Sequence, residues 1–169
     1  MMRLKAIDKS KYKVRFRVVF VAIVVALLAI SVPTSTFIIA QFSTPEASHF
    51  WHNLAGVFFA AVVVISILKM LRSHPYMYEV MYVWDLKQEL NRIHRKLRKI
   101  EARAEQGNHH ALIVLNFMYR GSKQLYELDD NTITMDSLMP KLLAHEQKMK
   151  AAGLSTSTDE YDPAMLDQF

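Results

Sequence analysis

Residues 18–40, VVFVAIVVALLAISVPTSTFIIA, are a run of 23 residues without a charged side chain. A helix of that length reaches roughly 34 Å, which is enough to cross a hydrocarbon core of about 30 Å. Pro33 lies inside the run, and the hydroxyls around it can bond carbonyls that the proline frees, which favours a kinked helix over a broken one. We therefore predict a first transmembrane helix here. The apolar stretch is too long for a signal peptide, and no cleavage pattern follows it, which favours an uncleaved span.

A second apolar run, WHNLAGVFFAAVVVISILKML at 51–71, follows after a short gap and carries one charge, Lys69. It would span about 31 Å as a helix, and Lys69 can extend towards the headgroups. A soluble domain of this size could not bury two helices that are apolar all round. We therefore interpret 18–71 as a two-helix transmembrane hairpin with an outer loop at 41–50.

Basic residues predict the orientation of this hairpin. The loop 41–50 contains no Lys or Arg, whereas the basic N-terminus, 1–17, holds seven, and Lys69 and Arg72 lie at the far end of the second run. Loops rich in Lys and Arg stay in the cytoplasm. We expect both termini in the cytoplasm and the loop outside. The net charge of +5 then reflects topology, which makes nucleic acid an unlikely partner.

Residues 72–153 have the pattern of an all-α cytoplasmic domain. Apolar residues recur at alternating spacings of three and four between Pro75 and Gly107, which indicates a heptad seam of the coiled-coil type. The seam consists of Val83, Leu86, Leu90, Ile93, Leu97 and Ile100. Gly107-Asn108 then favours a turn into a second helix ending near Leu128, giving a helical hairpin.

Two shorter elements follow the predicted hairpin. A third helix is predicted from about Met135 to Ala151, with Leu138, Leu142, His145 and Met149 on one face. Residues 154–169 are predicted to form a polar linker and a short C-terminal helix that begins at Asp162-Pro163.

The segments HPYMYEVMYVWDLKQELNRIHRKLRKI (74–100) and ALIVLNFMYRGSKQLYELDDNTITMD (111–136) resemble a family of small, uncharacterised inner-membrane proteins of gammaproteobacteria, classed as a domain of unknown function. The resemblance extends over nearly the whole chain. It implies a multi-pass protein of the bacterial inner membrane, and it implies no activity, cofactor or site residue.

Few residues have a spacing that suggests a catalytic or metal-binding site. With no cysteine and four glycines, the chain offers neither thiolate chemistry nor a Gly-rich phosphate loop. Glu46, His49 and His52 could share a helix face and bind a transition metal, although they are an incomplete ligand set and polar residues also mark the end of a span. The acids Glu127, Asp129 and Asp130 lack the companions of a catalytic site and are explained by helix termination. We therefore expect no catalytic residue and no cofactor.

A basic surface is the other feature of the predicted domain. Because this surface would lie near the membrane, one interpretation is that it contacts anionic lipid. The simpler interpretation is a helix face exposed to water. The candidates for lipid contact are Arg15, Arg17, Arg72, Arg92, Arg95, Lys96 and Lys99.

The leading hypothesis is a non-enzymatic membrane protein whose cytoplasmic helices bind a partner protein or a second copy. The heptad seam motivates it, because that seam could be filled by another subunit or by the chain's own second helix. The alternative is a sensor or transport accessory that uses His49 and His52. Transport by the chain alone is disfavoured, since neither span has an ionisable residue near its middle.

Overall fold

The computed structural model describes residues 3–42 and 48–169, and over these residues the chain is helical with no β-strand. The all-α prediction is therefore confirmed. The α-helices are α1 (Lys9–Phe42), α2 (Phe50–Leu71), α3 (Tyr78–Glu105), α4 (His109–Leu128) and α5 (Thr132–Ala151). Two short 3-10 helices are η1 (Pro75–Met77) and η2 (Pro163–Gln168).

The chain divides into two compact units. We call Ser10–Met81 the apolar unit. The polar unit consists of Tyr82–Phe169 together with the N-terminal residues up to Lys9. The domain bounds predicted at residues 72 and 154 stay predictions.

In the apolar unit, α1 and α2 are long and apolar enough to cross a membrane. Of the 18 most apolar consecutive residues of α1, only 11% are buried, and the share for α2 is 17%. Neither helix is therefore an ordinary core helix. α1 starts earlier than the predicted span because the basic residues from Lys9 onward are also helical, and Pro33 does not end it.

Small side chains form the buried stripe that α1 and α2 share. Ser31 and Ser35 of α1 are buried, as are Gly56 and Ala60 of α2. A Cβ on Gly56 would lie 2.1 Å from Ser35 Oγ and 3.0 Å from the Ser31 carbonyl oxygen, so only glycine fits. Helices in lipid pack closely through small residues because hydrophobic burial adds little there.

An ion pair closes the other end of the apolar unit. The Arg15 guanidinium donates to the buried Glu79 carboxylate, and it also donates to the Pro75 carbonyl oxygen at 3.2 Å. It lies 5.1 Å from the centre of the Tyr76 ring. His74 caps η1 by accepting from the Tyr76 N–H. Arg15 therefore holds the base of α1 against the segment that follows α2.

In the polar unit, α3 and α4 are joined at Gly107, whose φ of 77° is a left-handed value that glycine adopts at little cost. Asn108 caps α4 by accepting from the Ala111 N–H at 2.9 Å. The Tyr82 hydroxyl donates to Gln124 Oε1 at 2.7 Å. A Cβ on Gly121 would lie 3.2 Å from methyl carbons of Leu86 and Leu90, which are packed on it.

Helix α5 packs along α4. It begins at Thr132, three residues before the predicted start, because Asn131 caps it by accepting from the Thr134 N–H. Pro140 lies inside the helix without ending it. The predicted face is the one that is buried: Leu138, Leu142, His145 and Met149.

The C-terminal segment completes the core of the polar unit. Asn116 is fully buried in α4 and donates to the carbonyl oxygens of Thr156 and Ser157 at 3.1 Å. The Tyr161 ring stacks on Phe117 with ring centres 3.9 Å apart. The predicted short helix is present as η2, capped by Asp162. Residues 154–169 therefore pack on the same core as the helices before them.

Candidate functional site

The heptad seam of α3 lies in the interior of the polar unit. Val83, Leu86, Leu90, Ile93 and Ile100 are buried and Leu97 is half-buried. Each buried side chain of this size stabilises the fold by about 1.5–3 kcal/mol. A coiled-coil dimer along this seam would first have to expose it, so the chain's own residues fill the predicted interface.

Two of the basic side chains assigned to lipid contact make other contacts. Lys96 donates to the Leu166 carbonyl oxygen at 2.6 Å and so holds η2 against α3. Arg92 pairs with Glu89 at 3.0 Å on the same helix. Because of these contacts, both residues are weaker candidates for binding an anionic partner than the other basic residues of α3.

The remaining basic residues of α3 form its exposed face. Arg95, Lys99 and Arg103 are exposed, and in the part of the chain that the structure describes they make no ion pair. At spacings of four they share one side of the helix, opposite the buried seam. Like charges at this spacing repel each other, so an acidic partner would stabilise the face.

The basic candidates of the apolar unit differ from one another. Arg15 is committed to Glu79 and Pro75. Arg17 and Arg72 are exposed at the ends of the apolar helices, where basic residues can meet headgroups.

The outer-loop candidates are only partly described. Glu46 lies outside the described residues. The His49 and His52 rings approach within 6.4 Å between centres. His52 Nδ1 is buried and has no hydrogen-bond partner among the described residues. No group of three or more His, Asp or Glu residues that could hold a metal ion occurs within 3–42 and 48–169.

The acids at the end of α4 are used structurally. Asp129 pairs with Lys87 at 3.0 Å, and Asp130 pairs with Lys9. Glu127 lies 3.7 Å from Lys123, one turn before it on α4. Each of these carboxylates therefore has an oppositely charged partner.

A cleft of about 390 Å³ opens where the end of α3 meets α4 and α5. Its lining includes the carboxylates of Glu101 and Glu105, the amines of Lys141 and Lys148, and the rings of Tyr119 and His145. Burial, and then the nearby Glu101 charge, raise the pKa of Tyr119. Burial lowers the pKa of His145, whose Nε2 lies 2.9 Å from the Leu112 carbonyl oxygen. The Tyr119 and His145 rings lie 5.3 Å apart.

This cleft is lined by charged and aromatic side chains. Its acids come from α3 and its amines from α5, and no serine, cysteine or threonine is among the described residues that line it. Sequence reasoning placed His145 in the core and did not find the cleft, since Glu101 and Lys141 lie on helices whose meeting the local pattern does not encode.

A buried polar cluster was also missed. The Tyr161 hydroxyl, fully buried, donates to Glu89 Oε1 at 2.5 Å. Burial, and then the hydrogen bond and charge of Glu89, raise the pKa of Tyr161 far above its usual value. The phenol therefore stays protonated and serves as a structural donor to a carboxylate that Arg92 also contacts.

Comparison with curated proteins and with solved structures finds no match. A family model described as "Protein of unknown function (DUF3087)" matches residues 2–166, which confirms the predicted resemblance to a family of unknown function. The chain belongs to this family, DUF3087, over nearly its entire length.

Proposed function

We propose that this protein is a non-enzymatic, multi-pass protein of the bacterial inner membrane whose cytoplasmic helices bind another protein or a second copy. In this proposal α1 and α2 form a transmembrane hairpin, and α3 and α4 form a cytoplasmic helical hairpin. The observation that supports it most is the exposure of the apolar helices. Phe58 is 71% exposed and Phe37 64%, and a bilayer would cover both.

The proposed orientation rests on charge. Lys and Arg lie at the outer ends of the two apolar helices, and the segment between the helices has none. The rule that basic loops stay inside then puts both termini in the cytoplasm.

The proposed partner surface is the exposed basic face of α3, defined by Arg95, Lys99 and Arg103. The heptad seam cannot serve without unfolding, because it is buried within one chain. An acidic protein surface would match the basic face and relieve repulsion along the helix. Self-association through this face would need acidic residues of the second copy.

Photo-crosslinking in native membranes tests this function. A photoreactive residue at Ala102, on the exposed side of α3, is expected to give a discrete adduct. The double variant Arg95→Glu/Lys99→Glu should reduce the yield at least tenfold, because two attractive contacts become repulsive. The matched control is the same charge reversal at the exposed Lys141 and Lys150 of α5. A chain that forms no adduct and remains monomeric in its membrane would contradict the proposal.

A second candidate function is a sensor or transport accessory that uses His49 and His52. The buried, unpartnered Nδ1 of His52 near the His49 ring favours it, since imidazole nitrogens bind Zn²⁺. Zn²⁺ titration of the purified protein should then show a site that the His49→Ala/His52→Ala variant loses. His109→Ala/His110→Ala, an exposed pair at the start of α4, is the control. Identical titrations of all three proteins would exclude this function.

A further inference from the structure

The cleft where the end of α3 meets α4 and α5 carries opposite charges on two of its helices. Glu101 and Glu105, one turn apart on α3, supply its acids. Lys141 and Lys148 of α5 supply its amines. Every residue that lines the cleft belongs to the polar unit. The cleft is therefore a feature of this unit alone, whatever the surroundings of the apolar helices.

These charges do not neutralise each other across the cleft. In the part of the chain that the structure describes, the side chains of Glu101, Glu105 and Lys148 form no ion pair and no hydrogen bond. Like charges one turn apart on a helix repel each other, so the two glutamates favour a cation beside them. Lys148 favours an anion for the corresponding reason. The cleft therefore keeps apart two charges that one molecule carrying both signs would satisfy together.

Two rings of the cleft offer hydrogen bonds between these charges. His145 Nε2 lies 2.9 Å from the Leu112 carbonyl oxygen. A carbonyl oxygen only accepts, so in the neutral ring Nε2 carries the proton and Nδ1 is an acceptor. Neither Nδ1 of His145 nor the hydroxyl of Tyr119 bonds to any residue within 3–42 and 48–169. An acceptor and a donor are therefore available to a molecule in the cleft.

The electrostatics indicate which charge lies beside which ring. Burial, and then the Glu101 charge, raise the pKa of Tyr119. Burial lowers the pKa of His145, and the Lys148 charge lowers it further. The two rings lie 5.3 Å apart between centres. Lys141 precedes Lys148 by seven residues, or about 10 Å of helix, so Lys148 is the amine beside the rings.

We propose that this cleft binds a small zwitterion, namely an amino acid or a dipeptide with free termini. Glu101 and Glu105 hold its ammonium group, Lys148 holds its carboxylate, and Leu112 and Leu115 of the lining contact its apolar side chain. The cleft volume of about 390 Å³ lies within the range of small-molecule sites. A simple cation or anion would satisfy only one of the two charged sides. This site goes beyond the proposed function and does not depend on it.

Calorimetric titration of the full-length protein in micelles tests the site. The probes are L-leucine and L-alanyl-L-leucine, which share an apolar side chain and differ by one residue, at most about 3.6 Å, between their charges. At least one of them is expected to bind with a Kd of about 1 mM or lower. Binding of neither probe overturns the proposal.

Two analogues of leucine test whether both charges are needed. Isopentylamine is leucine without its carboxylate, and isocaproate is leucine without its ammonium group. Each loses one charged contact and should bind about tenfold more weakly than the zwitterion, or not at all. An analogue that binds as tightly as the zwitterion overturns the proposed pair of contacts.

Substitutions in the cleft locate the binding. Glu101→Gln/Glu105→Gln and, separately, Lys148→Gln are expected to weaken zwitterion binding by about tenfold or more, because each removes one charged contact. All three side chains are exposed, so the core packing is kept. The matched control Asp136→Asn/Lys150→Gln removes one charge of each sign at exposed positions of α5 outside the cleft, and it should bind as the wild type does. Equal affinity in all of these proteins overturns the site.

Nuclear magnetic resonance gives a readout at the rings themselves. The ring signals of His145 should shift during titration with the zwitterion that binds, and the variant His145→Gln assigns those signals. The ring signals of His94, at an exposed position of α3, are the control and should stay in place. Calorimetric binding that leaves the His145 signals unchanged would show that the molecule binds elsewhere.

Discussion

At the scale of single residues, three buried polar side chains of the polar unit have a hydrogen-bond partner. Tyr161 donates to Glu89, Asn116 holds two backbone carbonyls, and His145 lies against the Leu112 carbonyl. Burying such groups without a hydrogen bond costs several kcal/mol, so each partner matters for stability. His145 is the histidine of this set, and burial lowers its pKa from the ordinary value of 6.5.

Unfolding of the protein is expected to depend on pH through His145. Burial lowers the pKa of His145 below 6.5, an effect that the Lys148 charge reinforces and that the Leu112 hydrogen bond and Glu146 oppose. The unfolded chain binds the proton first as pH falls, so stability is complete above pH 6.5 and declines below it. Denaturant unfolding of the micelle-bound protein should therefore show lower stability at pH 5.5 than at pH 7.5.

The variant His145→Gln identifies the source of that pH dependence. Glutamine cannot be protonated in this range and can still donate to the Leu112 carbonyl, so the difference between the two pH values should shrink. His94→Gln, at an exposed position of α3, is the control and should keep the difference. Equal pH dependence in the wild type and both variants would contradict this role for His145.

At the scale of elements, the α1–α2 contact depends on small side chains. Ser31 and Ser35 are spaced by four on α1, and Gly56 and Ala60 are spaced by four on α2. The two stripes bring the backbones close, and the Ser35 hydroxyl reaches the Asn53 carbonyl oxygen at 3.4 Å. In lipid, packing and hydrogen bonds of this kind drive helix association.

Gly56→Leu is expected to destabilise the apolar unit. Even a single Cβ at this position lies 2.9 Å from the Ser35 backbone nitrogen, so the helices must separate. Overpacking of this kind costs about 1–3 kcal/mol. Ala55→Leu is the control, since Ala55 is the exposed neighbour on the same helix. The temperature of thermal unfolding in micelles should fall for Gly56→Leu and not for Ala55→Leu. Equal unfolding temperatures for the two variants would show that the close contact is unimportant.

At the scale of the whole molecule, segments at both termini complete the polar unit. The N-terminal residues bond Tyr82 and Gln124, and the C-terminal segment supplies Tyr161 and Leu166 to the core. Residues far apart in the chain therefore belong to one compact unit. The seam side of α3 is covered within this unit, so the proposed function assigns the partner to the exposed side of the helix.

The pattern of apolar residues predicted most of the helices. The helical spacing of Leu142, His145 and Met149 predicted that they share one face of α5, and all three are buried. Gly107 and Asn108 marked the end of α3 and the start of α4, because a left-handed turn and a cap depend on the local residues. The start of α5 was predicted three residues late, since capping by Asn131 extends the helix beyond its apolar stripe.

By itself, the sequence determined that the chain is helical, that two of its helices are apolar enough to cross a membrane, and which faces of the others are buried. These properties follow from the spacing and polarity of neighbouring residues. Only the tertiary structure decided that the α3 seam is filled within one chain, that Lys96 donates to the Leu166 carbonyl oxygen, and that Lys9 pairs with Asp130. Such contacts join residues distant in the chain, and periodicity along one helix does not encode its neighbour.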